Sequence, residues 1–325
     1  MPLNRLMYTI LITRKLAPEI INKLSETCMV DVWEKDSAIP HDELIKRAAG
    51  KDGILCLLTD KIDREVLEAA GPNLKTISTM SVGHDHIDVD ECAKRGITVG
   101  YTPDVLNDSV ADLTIALMLN AGRRIDEAVN VAKDGRWGVW KPYGLTGIDL
   151  HHATVGIVGM GRIGIAVAKR LKGFDCKILY TSRTKKQELE TEHNIEHVEF
   201  NELLERCDFV TVHAPLMPET KEMFNAEAFS KMKPSAVFIN TSRGGLVDQD
   251  ALYNALVSKQ IYAAGLDVTS PEPLPIDNPL FALPNCTILP HIGSASISTR
   301  SKMGELAADN LLAGLTGTPL PYQVS

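Results

Sequence analysis

The stretch Thr154-Val-Gly-Ile-Val-Gly-Met-Gly-Arg-Ile-Gly164 has the pattern of a strand that turns on glycines into a helix. Its apolar run 155–158 is typical of a buried strand, and the apolar residues after it recur every four positions, as on one face of a helix: Ile163, Val167 and Leu171. Three glycines punctuate the stretch: Gly159, Gly161 and Gly164. The first allows a tight turn, the second lets a pyrophosphate approach the backbone, and the third lets the helix pack closely. Because a helix N-terminus attracts phosphates, the stretch predicts a dinucleotide site on a helix that opens at its last glycine.

The end of the next predicted strand indicates which dinucleotide binds. An NAD-type unit usually has Asp or Glu about 20 residues on, but the window 177–186 contains no carboxylate. Ser182 stands in the acid's place, and Arg183 offers a cation to a 2′-phosphate. We therefore expect NADP(H) to be preferred and NAD(H) to bind more weakly; the alternative is that these are solvated loop charges. The cofactor-binding residues expected in these two segments are Gly159, Gly161, Arg162, Ile163, Gly164, Ser182, Arg183, Thr184 and Lys185.

Composition limits the possible partners. The chain has 325 residues, 44% of them hydrophobic and 23% charged, and is long enough for two domains. Its net charge of −8 argues against nucleic acid or an anionic membrane as a partner, so an anionic substrate must meet local cations. No apolar run approaches the roughly 20 residues of a membrane span, and residues 1–8 lack a signal-peptide core, so we expect a cytoplasmic protein.

No metal site is expected. The six cysteines are scattered without a CxxC pair, as reduced packing thiols are. His84, Asp85 and His86 lack a further ligand cluster and suit a turn beside a substrate. His151 and His152 precede the first strand of the dinucleotide unit and are interpreted as part of a linker.

Short apolar runs alternate with helical patterns along most of the chain. The first predicted strands are Tyr8 to Ile12, Gly53 to Leu58, Leu74 to Ser78 and Ile97 to Val99, and the helices among them are Ala17 to Leu24, His41 to Ala49 and Arg64 to Ala70. The later predicted strands are Ile178 to Tyr180, Phe209 to Val212, Ala236 to Ile239, Ala263 to Leu266 and Thr287 to Leu289. This alternation predicts an α/β protein with two doubly wound parallel sheets, a Rossmann-type dinucleotide domain inserted in a flavodoxin-like substrate domain.

The substrate domain is predicted to be split. We expect it to comprise residues 1–107 and 297–325, with the dinucleotide-binding domain at 108–296. A long helix should begin near Ser109, which has Asp112 three positions on, as in a capping box. The last helix, Ser296 to Leu315, has one apolar face and should return to the first domain: Met303, Leu306, Ala307 and Leu311.

Three later strands are each followed by a residue with useful chemistry. Arg243 comes after one buried strand, Glu272 after a second and His291 after a third. Ligands bind at the carboxyl edge of such a sheet. A cation can hold a carboxylate or carbonyl, and an imidazole paired with a carboxylate can give a proton to a forming alkoxide. Taken singly each residue is ambiguous, but together after a dinucleotide motif they predict hydride transfer to a 2-oxo acid.

These segments resemble the D-isomer-specific 2-hydroxyacid dehydrogenase family over nearly the whole chain. The resemblance is carried by Val82-Gly-His-Asp-His-Ile-Asp-Val-Asp-Glu-Cys-Ala-Lys-Arg-Gly96, Trp140-Lys-Pro142, Leu266-Asp-Val-Thr-Ser-Pro-Glu-Pro-Leu-Pro275 and Leu289-Pro-His-Ile-Gly-Ser-Ala295. It implies the split fold, a homodimer, the three catalytic residues above and NADPH-dependent reduction of glyoxylate and hydroxypyruvate to glycolate and D-glycerate.

The resemblance also implies further contacts. The backbone N–H groups of Val82 and Gly83 would hold the substrate carboxylate, and Asp267 would lie near the nicotinamide amide. The expected substrate-binding residues are Val82, Gly83, Trp140, Arg243, Asp267, His291 and Ser294, and the further cofactor-lining residues are Pro215, Thr241, Asp267 and Gly293. Pro215 has no N–H to donate, which puts a backbone-donated cofactor contact there in doubt.

The stretch 121–150 is longer than a connection between a helix and a strand needs and resembles the family's dimerisation arm. It carries Trp137, Trp140 and Tyr143. We expect Trp140 to cap the partner subunit's pocket and so favour acids of two or three carbons. The alternative is that these aromatic residues only anchor the dimer.

Other functions of the same fold stay open. Another D-2-hydroxyacid dehydrogenase is possible; Glu272 argues against a formate dehydrogenase, and the absence of extra phosphate-binding cations and of a regulatory domain before the end at Ser325 argues against a 3-phosphoglycerate dehydrogenase. A nucleotide-sensing, corepressor-like binding protein would keep similar residues. Turnover with a 2-oxo acid separates it from an enzyme.

Overall fold

The computed structural model describes residues 7–324, which divide into two compact units. One comprises residues 7–106 and 296–324, and the other comprises residues 107–295. Each contains one β-sheet whose named strands pair in parallel, with helices between them. The predicted fold class, two parallel-sheet α/β domains, is confirmed.

The first unit alternates strands and helices from its start. Its elements are β1 (Tyr8–Ile12), α1 (Pro18–Ser25), β2 (Cys28–Val32), α2 (His41–Ala48), β3 (Gly53–Cys56), α3 (Arg64–Ala70), β4 (Thr76–Thr79), α4 (Val89–Lys94) and β5 (Thr98–Gly100). The strands lie in the order β2-β1-β3-β4-β5, which is the flavodoxin-like order. Helix α3 begins where predicted. Asp63 is its N-cap, and the Asp63 carboxylate accepts the free N–H of Val66 at 3.3 Å.

The second unit begins with two helices that precede its sheet. Its elements are α5 (Asn107–Arg123), α6 (Ile125–Lys133), β6 (Thr154–Val158), α7 (Arg162–Leu171), β7 (Lys177–Thr181), α8 (Gln187–His193), β8 (Ile195–His197), α9 (Phe200–Arg206), β9 (Phe209–Val212), α10 (Ala226–Lys231), β10 (Val237–Asn240), α11 (Gln249–Val257), β11 (Ala263–Leu266) and β12 (Cys286–Ile288). The strand order is β12-β11-β10-β9-β6-β7-β8. The order reverses between β6 and β9, as in a Rossmann-type sheet, where dinucleotides bind beyond the strand ends at the reversal.

The last helix, α12 (Ile297–Thr316), belongs to the first unit. Its N-terminus is capped by Ser296, whose hydroxyl accepts the N–H of Thr299 at 3.2 Å. Met303, Ala307 and Leu311 are buried. The hydroxyl of Ser78 in β4 donates to the carbonyl oxygen of Ala307 at 2.8 Å, which ties the helix to the sheet.

Several details differ from the sequence predictions. The long helix begins at Asn107, two residues before Ser109, and Asp112 accepts a hydrogen bond at 2.6 Å from Arg170 of α7. The helix after the glycine turn begins at Arg162, two residues before Gly164, because Gly161 already occupies the N-cap position. The strands β2 and β8 were not predicted. None of the described helices is both long and apolar enough to span a membrane.

Candidate active site

Three neighbouring strands of the second unit end at one edge of its sheet. β10, β11 and β12 are parallel and adjacent, so their carboxyl ends lie side by side. Arg243 follows β10 by three residues, Glu272 follows β11 by six, and His291 follows β12 by three. The predicted cation, acid and imidazole therefore emerge from one sheet edge.

Glu272 and His291 form a direct pair. Nδ1 of His291 lies 2.8 Å from Oε2 of Glu272, and the other carboxylate oxygen, Oε1, accepts the N–H of Thr269 at 3.0 Å. Burial of the Glu272 carboxyl disfavours its charge, but the hydrogen bond and charge of His291, the N–H of Thr269 and the charge of Arg243 outweigh it and lower its pKa. Glu272 is therefore an anion at neutral pH, and it holds the Nδ1 edge of the imidazole.

Asp267 fixes the loop that carries His291. It is the residue directly after β11, is almost completely buried, and accepts the N–H groups of Ile292 at 2.7 Å and Gly293 at 2.8 Å. Burial raises the pKa of Asp267, and these two N–H groups oppose that rise. His291 has a φ of 54°, in the left-handed region that few residues other than glycine adopt. The two hydrogen bonds stabilise this backbone conformation, which sequence reasoning did not foresee.

Arg243 is held by its own turn. Its Nη1 donates to the carbonyl oxygen of Ser242 at 2.8 Å, and the side chain of Asn240 donates to the carbonyl oxygen of Arg243 at 2.9 Å. The next residue, Gly244, packs directly against Thr269, since a Cβ there would lie 2.0 Å from the Thr269 carbonyl. The segments that carry Arg243 and Glu272 are thus in contact.

The glycine turn after β6 has the form that a phosphate needs. Gly159 has a φ of 100°, and a Cβ at that position would lie 2.7 Å from the backbone of Ala214. At Gly164 a Cβ would lie 2.3 Å from the carbonyl oxygen of Gly159. The close packing of α7 against the turn therefore requires a glycine at position 164. At Gly161, by contrast, a Cβ would meet no atom of the described residues within 4 Å. This open backbone at the N-terminus of α7, beside Arg162 and Ile163, fits a dinucleotide pyrophosphate.

Two cations in the segment after β7, Arg183 and Lys185, differ in whether they form an ion pair. Lys185 Nζ lies 3.4 Å from Oε2 of Glu190, whereas Arg183 makes no ion pair with any residue in the described part of the chain. The Ser182 hydroxyl donates to the carbonyl oxygen of Thr184 at 2.8 Å, which closes the turn. Glu190 was missed by sequence reasoning because it lies outside the window 177–186. Because this carboxylate engages Lys185, Arg183 is better able than Lys185 to meet a phosphate.

The other residues expected at the cofactor or at the substrate differ in exposure. Pro215 is exposed, and its carbonyl oxygen accepts the Thr220 hydroxyl at 2.7 Å. Thr241 is buried, with its hydroxyl 3.0 Å from that of Thr114. Ser294 is buried directly after Gly293. These residues belong to the same unit as the glycine turn.

Two predicted groups lie elsewhere. Val82 and Gly83 belong to the first unit, in the loop after β4, where the Ser81 hydroxyl donates to the carbonyl oxygen of Gly83 at 2.7 Å. Trp140 lies in the irregular segment after α6 and is 81% exposed, and Trp137 and Tyr143 are equally open to solvent. Such large exposed aromatic side chains are typical of an interface.

One group of possible metal ligands lies at the opposite edge of the sheet. The exposed side chains of His151, His152 and Asp175 place one donor atom each within 4.8 Å of one another, just before β6 and β7. Nδ1 of His151 is already 3.1 Å from the carbonyl oxygen of Phe174. This group is separate from Arg243, Glu272 and His291, and the expectation that no metal is used stays a prediction.

The fold and these strand ends define a class of dehydrogenase, and the comparisons with known proteins agree. Residues 115–293 match the family model for the D-isomer-specific 2-hydroxyacid dehydrogenase, NAD-binding domain. The chain belongs to this family of oxidoreductases.

Named relatives resemble the chain over almost its full length. It is 51% identical over 318 residues to human glyoxylate reductase/hydroxypyruvate reductase, covering 97% of each chain. It is 48% identical over 317 residues to the glyoxylate reductase of Thermofilum pendens, covering 97% of this chain and 93% of that one. Among solved structures, NADPH-dependent glyoxylate/hydroxypyruvate reductase from Sinorhizobium meliloti, in complex with NADP and malonate, superposes with a TM-score of 0.86 at 33% identity, covering 98% of this chain and 97% of that one.

Proposed function

We propose that this protein reduces glyoxylate and hydroxypyruvate to glycolate and D-glycerate, using NADPH in preference to NADH. The names of the relatives support the substrates. The observation that carries the chemistry is the pair formed by Glu272 and His291 at the carboxyl edge of the sheet that also holds the glycine turn. The second unit is then the dinucleotide-binding domain and the first the substrate domain.

The nicotinamide cofactor supplies the hydride when it is bound. Gly159, Gly161 and Gly164, with the first turn of α7, hold its pyrophosphate, and Arg183 meets the 2′-phosphate with the turn that Ser182 closes. Thr241, Pro215 and Gly293 line the remainder of the site. We assign Asp267 chiefly to the backbone of the His291 loop, since both of its oxygens accept N–H groups there.

His291 is the proton donor. With Nδ1 held by Glu272, its Nε2 is the nitrogen left to face the substrate, and it gives a proton to the 2-oxo oxygen as that oxygen becomes an alkoxide. The Glu272 anion stabilises the protonated imidazole before the transfer and fixes its orientation. In the reverse direction the neutral imidazole takes the proton back.

Arg243 binds the substrate. Its guanidinium donates hydrogen bonds to the carboxylate or to the carbonyl oxygen of the 2-oxo acid. This interaction polarises the carbonyl group for hydride attack. We assign the N–H groups of Val82 and Gly83 to the substrate carboxylate, and we assign Ser294 to substrate binding as well. A protein with a net charge of −8 needs such local cations and N–H groups to attract an anionic substrate.

A homodimer completes the proposal. The exposed aromatic residues of the predicted arm, 121–150, meet a second copy, and Trp140 caps the partner's pocket against larger acids.

Product analysis tests the proposed reaction. Purified protein with NADPH should convert glyoxylate to glycolate and hydroxypyruvate to the D isomer of glycerate, as resolved by chiral chromatography. A parallel reaction with the H291Q variant controls for a contaminating reductase. Formation of the L isomer, or equal product from the variant, would overturn the assignment.

A further inference from the structure

The segment that carries Glu272 is held by a side chain from another element. Gln249 is the first residue of α11, and its amide makes two hydrogen bonds to the backbone of Ser270. Its Nε2 donates to the Ser270 carbonyl oxygen at 2.5 Å, and its Oε1 accepts the Ser270 N–H at 2.9 Å. Because both ends of one planar amide engage one residue, the position and the direction of that backbone are fixed together.

The hydrogen bonds within residues 269–272 stabilise the conformation of this segment but do not connect it to α11. The N–H of Thr269 donates to Glu272 Oε1, and the Thr269 hydroxyl donates to the carbonyl oxygen of Pro271 at 2.8 Å. Pro271 and Pro273 have no N–H to offer a neighbouring element. A side chain that supplies both a donor and an acceptor is therefore an effective anchor for this backbone.

The same side chain joins two parts of the candidate site. Gln249 lies six residues after Arg243, and between them Gly244 packs against the carbonyl of Thr269. The Arg243 segment thus contacts the Glu272 segment at Gly244 and again at Gln249. A shift at either contact would move the backbone that carries Glu272, whose Oε2 lies 2.8 Å from Nδ1 of His291.

We propose that Gln249 is a positioning residue for the reduction, which holds Ser270 so that Glu272 stays aligned with His291. This inference rests on the proposed function, because it acts through the two residues assigned there to proton transfer. Gln249 contacts neither substrate nor cofactor in this proposal. It sets the geometry of the acid that orients the imidazole.

Steady-state kinetics of variants at Gln249 test the inference. Q249M keeps the length and bulk of the side chain without its hydrogen bonds, and Q249A removes it. We expect both to lower kcat for glyoxylate about tenfold, since small misplacements at an active site cost up to about 10²-fold, with KM for NADPH changed less than about twofold. N254A, which removes an exposed amide from the same helix, is the matched control and should leave kcat unchanged.

The pH profile separates positioning from stability. If Glu272 is loosened, it loses part of the stabilisation that lowers its pKa, so the acidic limb of kcat against pH should move to higher pH in Q249M. A merely structural role would lower the thermal midpoint and leave that limb in place. Wild-type protein and E272Q are measured in the same series. If the wild type reduces glyoxylate and E272Q loses rate as expected, while Q249M keeps the wild-type kcat and acidic limb, the role of Gln249 is wrong. If the wild type reduces no 2-oxo acid, the proposed function itself fails and Gln249 loses its role with it.

Discussion

The imidazole of His291 and the carboxylate of Glu272 meet through Nδ1 and Oε2 at 2.8 Å, across 19 residues of sequence. The two side chains come from the ends of adjacent parallel strands, β12 and β11. Buried Asp267 holds the backbone just after His291, and the N–H of Thr269 holds the second oxygen of Glu272. The pair is therefore pre-organised before any substrate binds, which is what efficient proton transfer requires.

Replacing the proton donor should abolish most turnover without affecting cofactor binding. We expect H291Q to lower kcat for glyoxylate at least about 100-fold, which is the usual contribution of general acid catalysis. Titration of NADPH fluorescence should give a Kd close to that of the wild type. Near-normal turnover in H291Q would remove His291 from the mechanism.

The charge of Glu272 should matter as well as its shape. E272Q keeps a hydrogen-bond partner for His291 but loses the anion. Because the Glu272 pKa is lowered, the wild-type carboxylate stays charged down to acidic pH, so the variant should lose rate throughout the neutral range. We expect kcat for glyoxylate to fall about tenfold or more, because His291 no longer has an anion beside it when it acts as the proton donor. A wild-type kcat in E272Q would show that the charge of Glu272 does not contribute to the reaction.

Arg183 should discriminate between the two cofactors. R183A should raise KM for NADPH about tenfold or more and change KM for NADH little, because only NADPH carries the 2′-phosphate. K185A is the matched control and should have the smaller effect, since Lys185 already pairs with Glu190 at 3.4 Å. Equal losses for both cofactors in R183A would mean that Arg183 does not contact the phosphate.

Trp140 should limit substrate size. We expect W140A to raise kcat/KM for branched or aromatic 2-oxo acids relative to glyoxylate, because the indole would no longer close the partner's pocket. W137A, which removes a neighbouring and equally exposed indole, controls for a general effect on the dimer. Sedimentation of both variants reports the oligomeric state. Selectivity that is the same in W140A and the wild type would restrict Trp140 to an anchoring role.

His213, which has no part in the proposed mechanism, should make the stability of the fold sensitive to acid. Burial lowers the pKa of His213 to about 3, and its Nε2 lies 3.0 Å from the Thr211 hydroxyl. The unfolded chain binds a proton there below about pH 6.5, whereas the folded chain does not. His213 should therefore lower the free energy of unfolding by about 1.4 kcal/mol per pH unit as the pH drops from about 6 to 4, and it should contribute nothing above about pH 7.

Urea unfolding at several pH values measures this effect. H213N should flatten the acid dependence, and H152N, which replaces an exposed histidine, should leave it unchanged. The same acid dependence in H213N and the wild type would assign the loss of stability to other groups.

The sequence predicted the strands of the sheet interiors best. The prediction for β9 and for β11 agrees with the observed bounds, because these strands are continuous buried runs between turn residues. The strands β2 and β8 were missed. Both lie at sheet edges and are only partly buried, so their sequences, Cys-Met-Val-Asp-Val and Ile-Glu-His, lack an apolar run that distinguishes them from loops.

The candidate site was predictable where a charged or titratable residue follows closely after a strand. Arg243, Glu272 and His291 could be grouped because parallel strands bring their carboxyl ends to one edge, although their roles in catalysis stay predictions. The contacts of Gln249 and Glu190 could not be found in this way. Each depends on side-chain geometry in a loop or at a helix start, where sequence spacing does not determine which atoms meet.

Initial rates of reduced-cofactor oxidation by the pure protein test the proposed reaction most directly. NADPH and NADH are compared side by side, each with glyoxylate, hydroxypyruvate and pyruvate. We expect rapid oxidation of NADPH with the first two acids, a lower kcat/KM for NADH, and slower reduction of pyruvate. Tight binding of NADPH with no turnover of any of these acids would contradict the proposed reaction and would favour a different 2-oxo acid or a nucleotide-sensing role.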